Sequence, residues 1–153
     1  MILQALTVTA ALTAVAYLIY AIKQNKGIPD SVSATAYAIK NPHYFTSAMF
    51  AEAALLLPMF LEKTPDSAEW LAFLSMLGLG AVGATPDYRK EGGIAHNIGG
   101  FLTGIGSQLV IALNNPIILS TWALYPLTLI QKKNYTFWAE IICFINIVLY
   151  NLL

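Results

Sequence analysis

Six apolar stretches follow one another along this chain with only short polar breaks between them, at residues 2–22, 42–61, 68–84, 94–113, 116–130 and 135–153. A helix needs about 20 predominantly apolar residues to cross the hydrocarbon of a bilayer, and fewer where its ends snorkel or the bilayer thins. The sequence therefore predicts an all-α fold, a polytopic integral membrane helical bundle in which residues 1–153 form one transmembrane domain of about six transmembrane helices. The segment near 116–130 is short and holds Pro126, so it is expected to kink or to cross incompletely, which makes five full spans the alternative.

Composition excludes the soluble alternative. With 58% apolar and 10% charged residues, against about 25% charged in soluble domains, the chain cannot cover a water-facing globule. Its formal net charge is zero, which argues against nucleic acid as a partner and against a polybasic surface anchor, and leaves membrane lipids as the expected environment. Cys143 is the one cysteine and lies in the last apolar run, where packing is its expected role.

The breaks carry helix-start chemistry. Asn41-Pro42 and Asn115-Pro116 each set a good N-cap before a proline at the first helical position. Asp66 and Glu69 form a D-x-x-E capping pattern before the third stretch. The first stretch has no Lys or Arg ahead of it and is longer than the usual signal-peptide core, so it reads as a retained span.

Charge asymmetry sets the expected orientation. With six spans, Lys23, Lys26, Lys40, Arg89, Lys90, Lys132 and Lys133 fall on one side and only Lys63 on the other. Positive residues favour the cytoplasmic side, so both termini are expected outside, in a bacterial inner membrane. The first cytoplasmic loop contains Ser31 to Ile39, which is hydroxyl-rich and too short to span. It is expected to lie at the interface or to dip back into the bundle.

Polar residues inside the apolar stretches are the candidates for chemistry. Glu52 lies ten residues beyond Pro42, about 15 Å along a helix and so near the bilayer midplane. A charge there costs at least about 2.5 to 3.5 kcal/mol, so this carboxyl group should be protonated, paired or hydrated. Asn146 and Thr103 fall at similar depth and are its expected partners. Ser47, His96 and Glu140 form a shallower layer in which His96 and Glu140 could pair, and His43 starts the second stretch.

In the fourth stretch, His96, Gly100, Thr103, Gly104 and Ser107 share one helix face that is small and polar. Such a face either lines a cavity with His96 at its mouth or packs closely on another helix. The Gly100-x-x-x-Gly104 pattern suits contact with the glycine-rich third stretch or with a second copy in a homo-oligomer.

Just before that face lies a polar knot, Thr85 to His96. It holds four of the sixteen Asp, Glu, Lys and Arg residues and one of two histidines. The order of the hydroxyl-rich Ser31 to Tyr37 segment, then Pro86-Asp87, then Gly92-Gly93-Ile94-Ala95-His96 resembles that of poorly characterised six-helix bacterial membrane families. More distantly it resembles the CREST superfamily of membrane hydrolases, which includes alkaline ceramidases and the progestin and adiponectin receptors. That resemblance implies a zinc ion activating water against a lipid amide or ester. It implies Ser31 or Ser33 as the serine, Asp87 as the aspartate and His96 as one histidine. The superfamily has seven spans and a late H-x-x-x-H pair, whereas this chain has no histidine after His96, so His43 or a carboxylate such as Glu140 would have to complete a zinc site.

Three functional readings follow. The first is a structural, assembly or lipid-binding bundle with a polar cluster on the cytoplasmic side. In the second, a CREST-like hydrolase, Ser31, Ser33, Glu52 and Glu140 are the candidate catalytic residues and Asp87, His96 and His43 the candidate zinc ligands. The third is a proton- or cation-coupled transporter built on Glu52, since two halves of three spans would have inverted topology. A phosphate loop and a G-x-S-x-G nucleophile elbow are both excluded, because the glycines near 99–106 lie inside an apolar run and lack the pattern.

Overall fold

The computed structural model describes residues 1–88, 93–130 and 133–153, with the side chains of residues 87, 88 and 129 outside the description, and among the described residues it is helical with no strand. Every one of the six apolar stretches is helical. Helix α1 (Ile2–Asn25) ends at Lys26, which turns into the left-handed region at φ 58° and closes the last turn by donating its N–H to the Ile22 and Lys23 carbonyls. A short α2 (Thr35–Ala38) follows. Helix α3 (His43–Lys63) begins directly after Asn41-Pro42, and Asn41 Oδ1 accepts from the His43 backbone N–H at 3.0 Å. The sequence start signal is thus realised as a side-chain cap.

Helix α4 (Glu69–Gly83) is entered through a 3₁₀ turn at Asp66–Ala68. The anticipated Asp66/Glu69 capping box does not form: neither N-cap makes a side-chain hydrogen bond, because the tight turn takes up the first residues instead. The fourth stretch is one 22-residue helix in three parts: α5 (Gly93–Phe101), a π-helical segment Leu102–Gly106, and α6 (Ser107–Asn114). The fifth combines a 3₁₀ helix, Pro116–Leu124, with α7 (Tyr125–Ile130). Helix α8 (Tyr135–Leu152) closes the chain.

Helices α1, α3 and α8 are long and apolar enough to cross a membrane. The others are shorter or broken, and the fifth stretch shows how a short segment gains length. A 3₁₀ helix rises about 2.0 Å per residue against about 1.5 Å in an α-helix. Its nine 3₁₀ residues and six α-helical residues therefore reach about 27 Å, close to the hydrocarbon thickness of about 30 Å.

Two apolar clusters hold the helices together. One gathers Leu56 and Phe60 of α3, Met76 of α4, Val110 and Ile111 of α6 and Tyr150 of α8. The other joins Tyr17 of α1, Ala36 of α2, Phe45 and Met49 of α3, and Val82 of α4. Large apolar side chains also line the outside: Ile94, Ile98, Phe101, Ile105, Leu109 and Leu113 are all exposed. Their spacing places them on one stripe along the fourth stretch, the surface a lipid-facing helix presents.

Between α4 and α5 the backbones nearly touch. A Cβ on Gly78 would lie 2.6 Å from the Gly99 carbonyl oxygen, and a Cβ on Gly99 would lie 2.8 Å from that of Gly78. The ends of the bundle are tied by carbonyl contacts. The Lys63 carbonyl accepts from Asn114 Nδ2 at 2.7 Å and from the Tyr150 hydroxyl at 2.8 Å. At the opposite end, Asp30 O accepts from the Phe137 N–H at 3.0 Å and Ile28 O from Asn134 Nδ2 at 3.3 Å.

Candidate functional site

A cavity of about 490 Å³ opens among α1, α3, α4, the π segment and α8. Its size falls in the range of small-molecule pockets. Most of its lining is apolar, including Phe45, Met49, Leu79 and Ile147, and Glu52, His96 and Glu140 contribute the ionisable groups apart from Tyr17 and Cys143. Residues that the sequence placed in two layers thus border one space.

Glu52 sits on the inward face of α3 and is only 1% exposed. Its Oε1 accepts from the Thr13 hydroxyl of α1 at 2.6 Å, while Oε2, equally buried, has no hydrogen-bond partner. The expected partners are engaged elsewhere. Thr103 Oγ1 lies 2.9 Å from the Gly99 carbonyl and 3.1 Å from that of Ser75. Asn146 donates to Gln108 Oε1 at 2.7 Å and accepts from Thr121 at 2.5 Å. Thr13 was missed because it is an exposed residue on the flank of α1 whose hydroxyl reaches across to Glu52, and no sequence period marks such a position.

Glu140 does not pair with His96. Its Oε2 accepts from the Val32 backbone N–H at 2.5 Å, so α8 holds the hydroxyl-rich loop against the bundle. That loop folds inward: Thr35, Ala36 and Ile39 are buried, and the Tyr17 and Thr35 hydroxyls share a hydrogen bond. Ser33 borders the cavity, whereas Ser31 is spent locally, accepting from the Ala34 N–H at 2.9 Å and lying 3.0 Å from the Ser33 hydroxyl.

His96 borders the cavity, and its Nδ1 lies 2.9 Å from the hydroxyl of Thr85. His43 does not join it. His43 is exposed at the start of α3 and Ser47 is exposed one turn later, and neither lines the cavity. The side chain of Asp87 and residues 89–92 of the polar knot lie outside the described residues, as does Lys132. Among the described residues no three His, Cys, Asp or Glu groups gather closely enough to hold a metal ion. Among the described residues His43 and His96 are not brought together, and the side chain of Asp87 lies outside them, so no zinc-dependent step is drawn.

The π segment shapes one wall. Thr103, Gly104 and Ile105 of this segment and Gly100 just before it all line the cavity. A Cβ on Gly100 or Gly104 would meet nothing within 4 Å, so these two glycines leave open space, and the close approach to α4 falls to Gly99 instead. π-helical turns are uncommon and often accompany functional sites. Below them, Gln108 borders the cavity and accepts from Trp122 Nε1 at 3.1 Å as well as from Asn146, which fastens the 3₁₀ segment to α6 and α8. Cys143 also lines the cavity and is a free thiol.

The chain matches no protein-family model, no curated protein and no solved structure.

Proposed function

We propose that this protein is a polytopic membrane bundle that binds a lipid or another amphiphile in the cavity between α1, α3, α5 and α8. The observation that carries the reading is the composition of that cavity: a space of about 490 Å³ with apolar walls and a few acceptor groups, among them the buried Glu52. Apolar walls favour an acyl or alkyl chain, and sparse, fixed polar groups orient a head. Phe101 and Ile105 line the cavity and are 64% and 48% exposed. At that wall the space meets the surrounding lipid, which gives an amphiphile a lateral way in.

In this reading all six helical stretches cross the bilayer, both termini lie outside, and the lysine-rich loops after the first, third and fifth face the cytoplasm. The 3₁₀ geometry of residues 116–124 supports a full fifth crossing by supplying length. The glycine face beside the π segment supports a cavity role, because Gly100 and Gly104 line the space and a Cβ on either would meet nothing within 4 Å.

Filling the cavity is the direct test. Gly104→Phe projects a ring into open space, so the variant should fold and lose the amphiphile that accompanies the wild-type protein through purification in lipid nanodiscs. Extraction and mass spectrometry of the bound lipid read this out. Equal occupancy in wild type and variant would overturn the proposal.

A further inference from the structure

The chemistry of the head group can be read from the polar atoms around the cavity, given the amphiphile-binding reading above. Two carboxyl groups, Glu52 and Glu140, border it, and no Lys or Arg does so among the described residues. Their situations differ. Glu140 is held by the loop backbone through Val32. Glu52 has one protein donor, Thr13, on Oε1, and its Oε2 is left unpartnered although the residue is 1% exposed.

A buried carboxyl oxygen without a donor is costly. The terminal torsion of a Glu side chain is soft, so the carboxyl group can turn Oε2 toward an occupant, and the Thr13 hydroxyl, which Oε1 then leaves, has the Thr9 and Ala10 carbonyls to return to. The occupant that completes it must bring an N–H or O–H, and an ammonium brings a compensating charge as well. An anionic head would face two carboxyl groups with no cation to offset them.

We infer that the cavity takes a lipophilic amine, a single-chain amphiphile whose primary ammonium group donates to Glu52 Oε2 while its chain lies along the apolar wall. The protons balance whichever state the carboxyl group starts from. A free amine entering against a carboxylic acid takes its proton, and an ammonium entering against a carboxylate keeps its own; both leave one ammonium–carboxylate pair. The small head suits the position of Glu52, since a bulky hydrated head could not follow the chain that deep.

Dodecylamine, dodecanol and dodecanoate share one chain and separate the head groups. Binding of each to the full-length protein in nanodiscs, measured by native mass spectrometry, should rank amine over alcohol over carboxylate, with the amine about tenfold tighter than the alcohol, the span of one charge-assisted bond over a neutral one. Glu52→Gln keeps the shape and removes the charge, so it should erase the amine's advantage and leave the alcohol within about twofold. Equal affinity for amine and alcohol in the wild type overturns the head-group assignment, as does an equal loss for both in the variant. If alcohol binding is abolished by Gly104→Phe, the cavity reading survives that result. If no compound binds and Gly104→Phe changes nothing, both proposals fall. The wild-type ranking decides the question even if the Gln variant folds poorly.

Discussion

Thr13 of α1 and Glu52 of α3 are joined by a 2.6 Å hydrogen bond, Oγ1 to Oε1, across 39 residues of sequence. The same hydroxyl stands 3.0 Å from the Thr9 carbonyl and 2.9 Å from that of Ala10. A hydroxyl has one proton, so Thr13 can give it to the carboxyl group or return it to its own helix. It is a local donor that can follow the state of Glu52 without any movement of the backbone.

Removing that donor should be felt in stability. Thr13→Val keeps the shape and leaves the Glu52 carboxyl group with no side-chain partner, which should cost about 0.5 to 3 kcal/mol, the span from a neutral hydrogen bond to one made to a charged group. Thr13→Ser should stay near wild type. Thermal unfolding of the two variants in the same detergent checks the pair; equal melting temperatures would mean the bond contributes nothing.

Much of the fold was legible in sequence because length and apolarity bound it. All six apolar stretches became helices, and both Asn-Pro pairs mark starts, with α3 beginning at His43 and the 3₁₀ helix at Pro116. The rotation of the helices was not legible. Soluble helices declare their inward face by polarity, whereas here Leu12 faces out and Leu56 faces in, and both are leucine. Depth counting offered Thr103 and Asn146 as partners for Glu52, whereas the hydrogen bond comes from Thr13. The π turn was equally hidden, since glycines at 99, 100, 104 and 106 read as a packing motif, and only the structure separates Gly99 in contact from Gly100 and Gly104 in open space.

Glu140 should act as a local clamp. Its Oε2 binds the Val32 N–H, and the loop it holds carries Ser33 at the cavity edge. Glu140→Ala should free residues 27–42, raising amide hydrogen exchange there by about tenfold or more if the clamp contributes about 1.4 kcal/mol. Exchange in α4 should stay unchanged. Glu140→Gln keeps a carbonyl acceptor and should largely restore protection. Uniform exchange changes along the whole chain would instead identify Glu140 as a general core residue.

The proposed six-crossing arrangement makes a side-by-side prediction. Single cysteines at positions 26, 63 and 133, in a Cys143→Ser background, should divide by side when intact cells are treated with a membrane-impermeant maleimide. Position 63 should label from outside, and positions 26 and 133 only after permeabilisation. The hydrogen bonds already put Lys63 at one end of the bundle with Tyr150, and Asp30 at the other with Phe137. Labelling of 26 and 63 from the same side would rule out a crossing by α3.

The glycines offer the sharpest contrast between contact and cavity. At Gly78 and Gly99 an added methyl group would meet the opposite backbone at 2.6 and 2.8 Å, and backbone cannot swing aside as a flexible side chain can. Gly99→Ala should therefore push α4 and α5 apart and cost about 1 to 3 kcal/mol. At Gly100, one residue further on, a Cβ meets nothing within 4 Å, and alanine restricts the unfolded chain, so Gly100→Ala should be neutral or stabilising by about 0.4 to 1 kcal/mol. Because the two substitutions are chemically identical and adjacent, differences in expression or helix propensity cancel between them. A melting temperature that falls for Gly99→Ala and holds for Gly100→Ala fixes which face of α5 touches protein and which faces the cavity; equal losses would mean that both faces are packed and that the cavity wall is not where it is drawn.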